Sequence, residues 1–133
     1  MSWSDNIKQM HHQYQVHDWI ENSTPEQRKE LMKLRIRMLS EEFNETLQAY
    51  LMNNPEEMID GLIDVCVIAI GTLDIAGVDA SRAWNSVLEA NLAKEVGVKP
   101  GRPNPLGLPD LVKPSGWTPP NHSSNHGILK EFI

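Results

Sequence analysis

Residues 41–64 read EEFNETLQAYLMNNPEEMIDGLID, a stretch that holds both a chain reversal and a concentration of carboxylates. The reversal is Asn53-Asn54-Pro55. Proline breaks a helix interior but fits its first position, and Asn54 ahead of it is a good N-cap. A connection this short makes the flanking helices antiparallel neighbours, so residues equally far from the turn share a level. Glu42 and Asp64 are each about eleven residues away, roughly 16 Å along the axis, and Glu45 and Asp60 each lie within about seven to nine residues.

At about 100° per residue, Glu42 and Glu45 fall on the stripe of Leu31, Leu34, Met38 and Ala49, so both are expected to face inward. A second apolar stripe carries Met32, Ile36, Leu39, Phe43, Leu47 and Tyr50, and Lys33, Arg37, Ser40, Asn44 and Gln48 form the wet face. Glu41 sits at the margin of the acidic stripe. Asp60 and Asp64 stack one turn apart on the next helix. Four carboxylates thus converge, and desolvation plus mutual repulsion would cost several kcal/mol without a counter-ion. An all-oxygen donor set suits a hard cation, Mg2+ first and Mn2+ second. A di-iron bundle would need Glu-x-x-His pairs, and none is present. The competing reading is a solvated face paired with Lys33, Arg35 or Arg37. Glu57 occupies the capping-box position behind Asn54.

Outward from this hairpin, Leu62 to Ile70 is apolar nearly all round, which predicts a central buried helix with Cys66 as a small core residue. Thr24-Pro25-Glu26-Gln27 is a capping box that opens the preceding helix. A first helix is expected from about Ser4 to Trp19, and a fourth from an Asp79 cap to about Glu95. Seven of the nine prolines fall between Pro100 and Pro120. The chain therefore divides into helical residues 1–96 and a proline-rich arm, 97–133, laid on the bundle or on a neighbouring subunit, with disorder as its alternative. Leu106, Leu108, Leu111, Trp117, Leu129 and Phe132 are its candidate packing residues.

The length, 133 residues, allows one domain and one site per protomer. A net charge of −6, from 18 acidic and 12 basic residues, argues against nucleic acid or anionic membrane as partners. The single cysteine forms no intramolecular disulfide, and the N-terminus lacks a basic, apolar leader, so a cytoplasmic protein is expected.

Glu41-Glu42-Phe43-Asn44-Glu45 resembles the E-E-x-x-E signature of the all-alpha nucleoside triphosphate pyrophosphohydrolases, the MazG-like group that includes phosphoribosyl-ATP pyrophosphatase. The group's second signature, E-x-x-D, precedes an apolar stretch ending in G-[IV]-D, matched by Gly77-Val78-Asp79. That register puts the signature aspartate on Asp64 and the signature glutamate on Gly61, with Asp60 as its substitute. Ala90-Asn91-Leu92-Ala93-Lys94 is similar to the group's phosphate-contacting A-N-x-x-K segment, and His11 lies in a segment like one found near the base in single-domain viral members. The arm's Trp-Thr-Pro-Pro resembles phage-encoded relatives, which would place the protein in a host cytoplasm.

The resemblance implies a four-helix bundle that converts a (deoxy)nucleoside triphosphate to monophosphate and pyrophosphate. Glu42, Glu45, Asp60 and Asp64 would hold Mg2+, and Glu41, Glu42 and Glu45 would serve the catalysis, Glu41 or Glu45 taking the proton from the attacking water. Asn91, Lys94, Arg35 and His11 would bind the substrate. A homodimer or homotetramer is implied, and the wide apolar coverage of the two central helices independently calls for one. Two alternatives stand beside this: a phosphoribosyl-ATP pyrophosphatase-like enzyme, and a helical Mg2+/nucleotide-binding regulator without turnover.

Overall fold

A computed structural model describes residues 1–102, 106–107 and 110–133. Leu108, expected among the arm's packing residues, lies outside the described residues. Five α-helices run in order among them: α1 Trp3–Gln13, α2 Val16–Glu21, α3 Pro25–Leu51, α4 Pro55–Ile75 and α5 Ala80–Leu92. The chain is all-α in class, with one two-stranded ribbon and a closing 3-10 turn, Leu129–Phe132. It divides into two compact units, Met1–Ala80 with Asn125–Ile133, and Ser81–Ser124.

In the first unit the helix starts follow local chemistry. Ser2 and Asp5 form a capping box on α1, Thr24 and Gln27 form the expected one on α3, and Asn54 Oδ1 accepts the Glu57 N–H at the start of α4. The expected first helix is two helices. Gln15 adopts a left-handed φ of 56°, with no glycine or proline to announce it, and the bend turns Val16 and Ile20 toward the core. That core joins Ile20, Met32, Ile75, Ala76, Val78 and Phe132. Phe132 enters from the C-terminal turn, which is fastened by Ile128 N–H to the Ala76 carbonyl (2.8 Å) and by Arg28 to Glu131 (2.5 Å).

Helix α4 packs between α1 and α3 but is not buried on all sides. Leu62 and Ile63 are half exposed, and Cys66 is exposed rather than in the core. This flank borders an apolar groove of about 260 Å³ lined by Trp3, Ile7, Ile63, Cys66, Val67 and Ile70. No single helix among the described residues is long and apolar enough to cross a membrane.

In the second unit α5 ends at Leu92, earlier than expected, because Glu95–Gly97 (β1) pairs antiparallel with Asp110–Val112 (β2), Val96 opposite Leu111. Gly97 permits the close approach: a β-carbon there would lie 2.9 Å from a Val112 methyl. Residues 113–124 return along α5. Arg82 binds the Ser124 side chain, Asn121 N–H donates to Ser86 Oγ (3.2 Å), and Trp117 Nε1–H donates to the Ala90 carbonyl (2.7 Å). Arg82, Ser86 and Ala90 are four residues apart, so one face of α5 takes all three anchors.

Candidate active site

Helices α3 and α4 are held in the antiparallel register that their short connection dictates. Far from the turn, Arg35 Nε–H donates to Thr72 Oγ1 (3.1 Å) and Arg35 Nη2 to the Ile68 carbonyl (3.0 Å). Near the turn, Thr46 of α3 lies against Gly61 of α4. Between these two fastenings stand Glu41, Glu42, Glu45 and Asp64, with Asp60 just beyond the second.

Glu42 is the centre of the group. Its Oε2 is buried and has no hydrogen-bond partner among the described residues. Burial pushes its carboxyl above the ordinary glutamate range, and the charges of Glu45, Asp64 and Glu41 push it further the same way. The cross-helix meeting of Glu42 with Asp64 is thus present. The uniform burial expected of the cluster is not: Glu42 is partly buried, while Glu41, Glu45, Asp60 and Asp64 are exposed. Among the described residues nothing buries their outer side. Asp60 is one turn before Asp64 on α4, and Glu41, at the margin of the stripe, acts on Glu42 as a neighbouring charge.

Position 61 explains why a glutamate is missing there. Gly61 is buried against α3, and a β-carbon on it would sit 3.1 Å from Thr46 Cβ, 3.2 Å from Thr46 Cα and closer still to the Thr46 hydroxyl. At this helix crossing no longer side chain fits. The donor set that remains, carboxylate oxygens around an orphaned buried Oε2, fits a hard divalent cation.

Two residues expected at the substrate are engaged elsewhere. Arg35 lies seven residues before Glu42 on α3, about 10 Å along the axis. Its guanidinium, whose pKa burial lowers, rests over Gly71, where an added β-carbon would collide with Nη2. His11 borders the same glycine and is itself buried. Its Nδ1 lies 2.6 Å from Asp74 Oδ2, and His17 Nε2 lies 2.8 Å from the same oxygen. The two ring N–H groups satisfy the buried Asp74 carboxylate. His11, His17 and Asp74 also put three ligand-type atoms within 4.8 Å of one another. Sequence reading missed His17 and Asp74, because 57 residues separate the pair and only the Gln15 bend brings them together. An aspartate inside an apolar helix was the available signal.

In the Ser81–Ser124 unit, Asn91 is exposed and its Oδ1 accepts from Lys94 Nζ at 3.0 Å. Lys94 and Lys113 both lie over the Trp117 ring, 5.4 and 4.9 Å from its centroid.

A family model described as phosphoribosyl-ATP pyrophosphohydrolase matches residues 13–91, more than half of the chain, and spans Glu41, Glu42, Glu45, Asp60 and Asp64. Neither a curated protein nor a solved structure matches the chain. The all-α class, the E-E-x-x-E run on α3 facing Asp64 on α4, and this match agree. The chain belongs to the phosphoribosyl-ATP pyrophosphohydrolase family of the all-alpha nucleoside triphosphate pyrophosphohydrolases, enzymes that hydrolyse a phosphoanhydride to release pyrophosphate.

Proposed function

We propose that this protein is a Mg2+-dependent nucleoside triphosphate pyrophosphohydrolase, cleaving a (deoxy)nucleoside triphosphate between the α and β phosphates. The observation that carries it is the buried, partnerless Glu42 Oε2 among the charges of Glu45, Asp64 and Glu41. A protein gains nothing from that repulsion unless a cation relieves it. Glu42, Glu45 and Asp64 hold the ion, with Asp60 completing the set. Bound there, Mg2+, or Mn2+ in its place, would supply a positive charge against the phosphates and lower the pKa of a bound water. The chain's own contribution is orientation and proton transfer. Glu42, once ion-bound, stays ionised; Glu41 or Glu45, both exposed, accepts the proton of the attacking water. Asn91 and Lys94 contact the phosphates, Lys94 offsetting charge on the departing pyrophosphate.

The active form is a homodimer or homotetramer working in the cytoplasm. Exposed Leu62, Ile63, Phe43 and Trp84 support self-association, since such an apolar surface on a lone protomer is costly. A second reading, hydrolysis of phosphoribosyl-ATP, is favoured by the description of the matching family. Pyrophosphate release from a panel of (deoxy)nucleoside triphosphates and phosphoribosyl-ATP, with Mg2+, decides between them. Turnover confined to phosphoribosyl-ATP replaces the first reading with the second. Absence of turnover on every substrate, with nucleotide binding retained, leaves a non-catalytic regulator and sinks both.

A further inference from the structure

Away from the carboxylate group, the first unit brings three metal-ligand side chains together from three helices. His11 lies in the last turn of α1, His17 in the first turn of α2 and Asp74 near the end of α4. The left-handed Gln15 between the two histidines turns α2 so that both rings reach the one aspartate. They do not take one carboxylate oxygen each. His11 Nδ1 and His17 Nε2 both address Oδ2, at 2.6 and 2.8 Å. The ring centroids are 6.0 Å apart with the planes at 68°, so the rings meet edge-on, and the two nitrogens and the oxygen all lie within 4.8 Å of one another.

Without an ion, two ring N–H groups satisfy this carboxylate. The same three atoms can instead offer three lone pairs to one point, because a neutral ring coordinates by carrying its single proton on the other nitrogen, Nε2 of His11 and Nδ1 of His17. Two imidazoles, one carboxylate and a water make a four-coordinate zinc site. Bonds of about 2.0–2.2 Å place tetrahedral ligand atoms roughly 3.3–3.6 Å apart, so each nitrogen must draw back from Oδ2 by under about 1 Å. His17 is free to make that adjustment: its side chain is 47% exposed, against 4% for His11 and 8% for Asp74. The same exposure admits the ion and leaves room for the water. Imidazole nitrogen also separates this site from the all-oxygen group around Glu42, since Mg2+ favours oxygen donors and Zn2+ accepts nitrogen. Arg35 borders His11 at Gly71, its guanidinium held by Thr72 and the Ile68 carbonyl. Its positive charge and the count of three protein ligands make the site weaker than a four-ligand structural one.

We infer that His11 Nδ1, His17 Nε2 and Asp74 Oδ2 bind a Zn2+ ion, with water as the fourth ligand, tying α1, α2 and α4 together across the Gln15 bend. The site is distinct from the proposed Mg2+ site and does not rest on the pyrophosphohydrolase reading. An ion that binds the folded chain and not the unfolded one stabilises it by mass action, so occupancy is readable as a rise in Tm.

The test is titration of the full chain with Zn2+ in excess Mg2+, which keeps the oxygen site filled, followed by calorimetry and by Tm. One Zn2+ per chain and a raised wild-type Tm are expected, and Co2+ in its place should give the intense visible absorption of a four-coordinate site. H17A alters an exposed ring and D74N keeps the shape of the buried side chain. Each should weaken Zn2+ by more than about tenfold and remove the Tm shift. H12A, next to the triad in sequence but outside it, should bind as wild type does. Circular dichroism shows that each variant is folded, and H17A alone decides if D74N is not. Absence of Zn2+ binding to the wild type overturns the inference. Binding that survives in folded H17A, or that H12A abolishes and H17A does not, overturns it equally.

Discussion

Gly61 and Thr46 mark a close approach of α3 and α4: a β-carbon at position 61 would stand 3.2 Å from the Thr46 backbone. The contact keeps the two acid-bearing helices near enough for Glu42 and Asp64 to act on one another. Gly61→Ala is therefore expected to lower stability by about 1–3 kcal/mol, the scale of overpacking a tight site. Gly61→Glu, which restores the family's signature residue, should destabilise further and add no turnover. Urea unfolding with parallel pyrophosphate-release assays checks both.

Neutralising one carboxylate of the proposed ion site should cost turnover rather than folding. Glu42→Gln, Glu45→Gln and Asp64→Asn are each expected to reduce kcat/KM by at least about 100-fold, the scale for one preorganised electrostatic group. Asp60→Asn tests the substitute for the glutamate that position 61 excludes. Full activity in that variant would remove Asp60 from the set.

Glu42 also predicts an unusual pH dependence of stability without metal. Its folded pKa is raised, so between the ordinary glutamate value and that raised value the native state binds more protons than the unfolded one. Stability from this group is therefore fully present below the ordinary value and falls as pH climbs through the window. Melting curves in EDTA should show this decline, and Glu42→Gln should flatten it. Mg2+ at neutral pH should raise the wild-type Tm and raise that of Glu42→Gln much less.

Asp74 carries a structural load separate from the acids. Asp74→Ala leaves His11 buried without its acceptor, and a loss of about 2–4 kcal/mol is expected in urea unfolding. His17→Ala should cost less, because His17's side chain is 47% exposed and water replaces part of what is lost.

The exposed flank of α4 predicts self-association. Ile63→Glu puts a charge into the groove that it shares with Trp3 and Cys66. Light scattering after gel filtration should give a multimer for wild type and a smaller species for the variant. A monomeric wild type at micromolar concentration would refute the assembly.

Much of the hairpin was legible because its determinants are local. Thr24, Asn54 and their following prolines set the starts of α3 and α4, and the short connection dictated which residues share a level, as Arg35 with Thr72 and Thr46 with Gly61 bear out. Burial was less legible. A helical stripe shows which residues share a side, not whether anything covers that side, and this is why Cys66, Leu62 and most of the acids proved exposed.

The sequence by itself determined the all-α class, the family, and the placement of Glu42 opposite Asp64, since capping and helical periodicity act over a few residues. Only tertiary structure decided the rest. It bent the chain at Gln15, brought His11 and His17 onto Asp74 across 63 and 57 residues, and set Lys94 and Lys113 on Trp117. It also left a single oxygen of Glu42 buried without a partner. Such contacts depend on how distant segments pack, and no local pattern encodes where a segment lands.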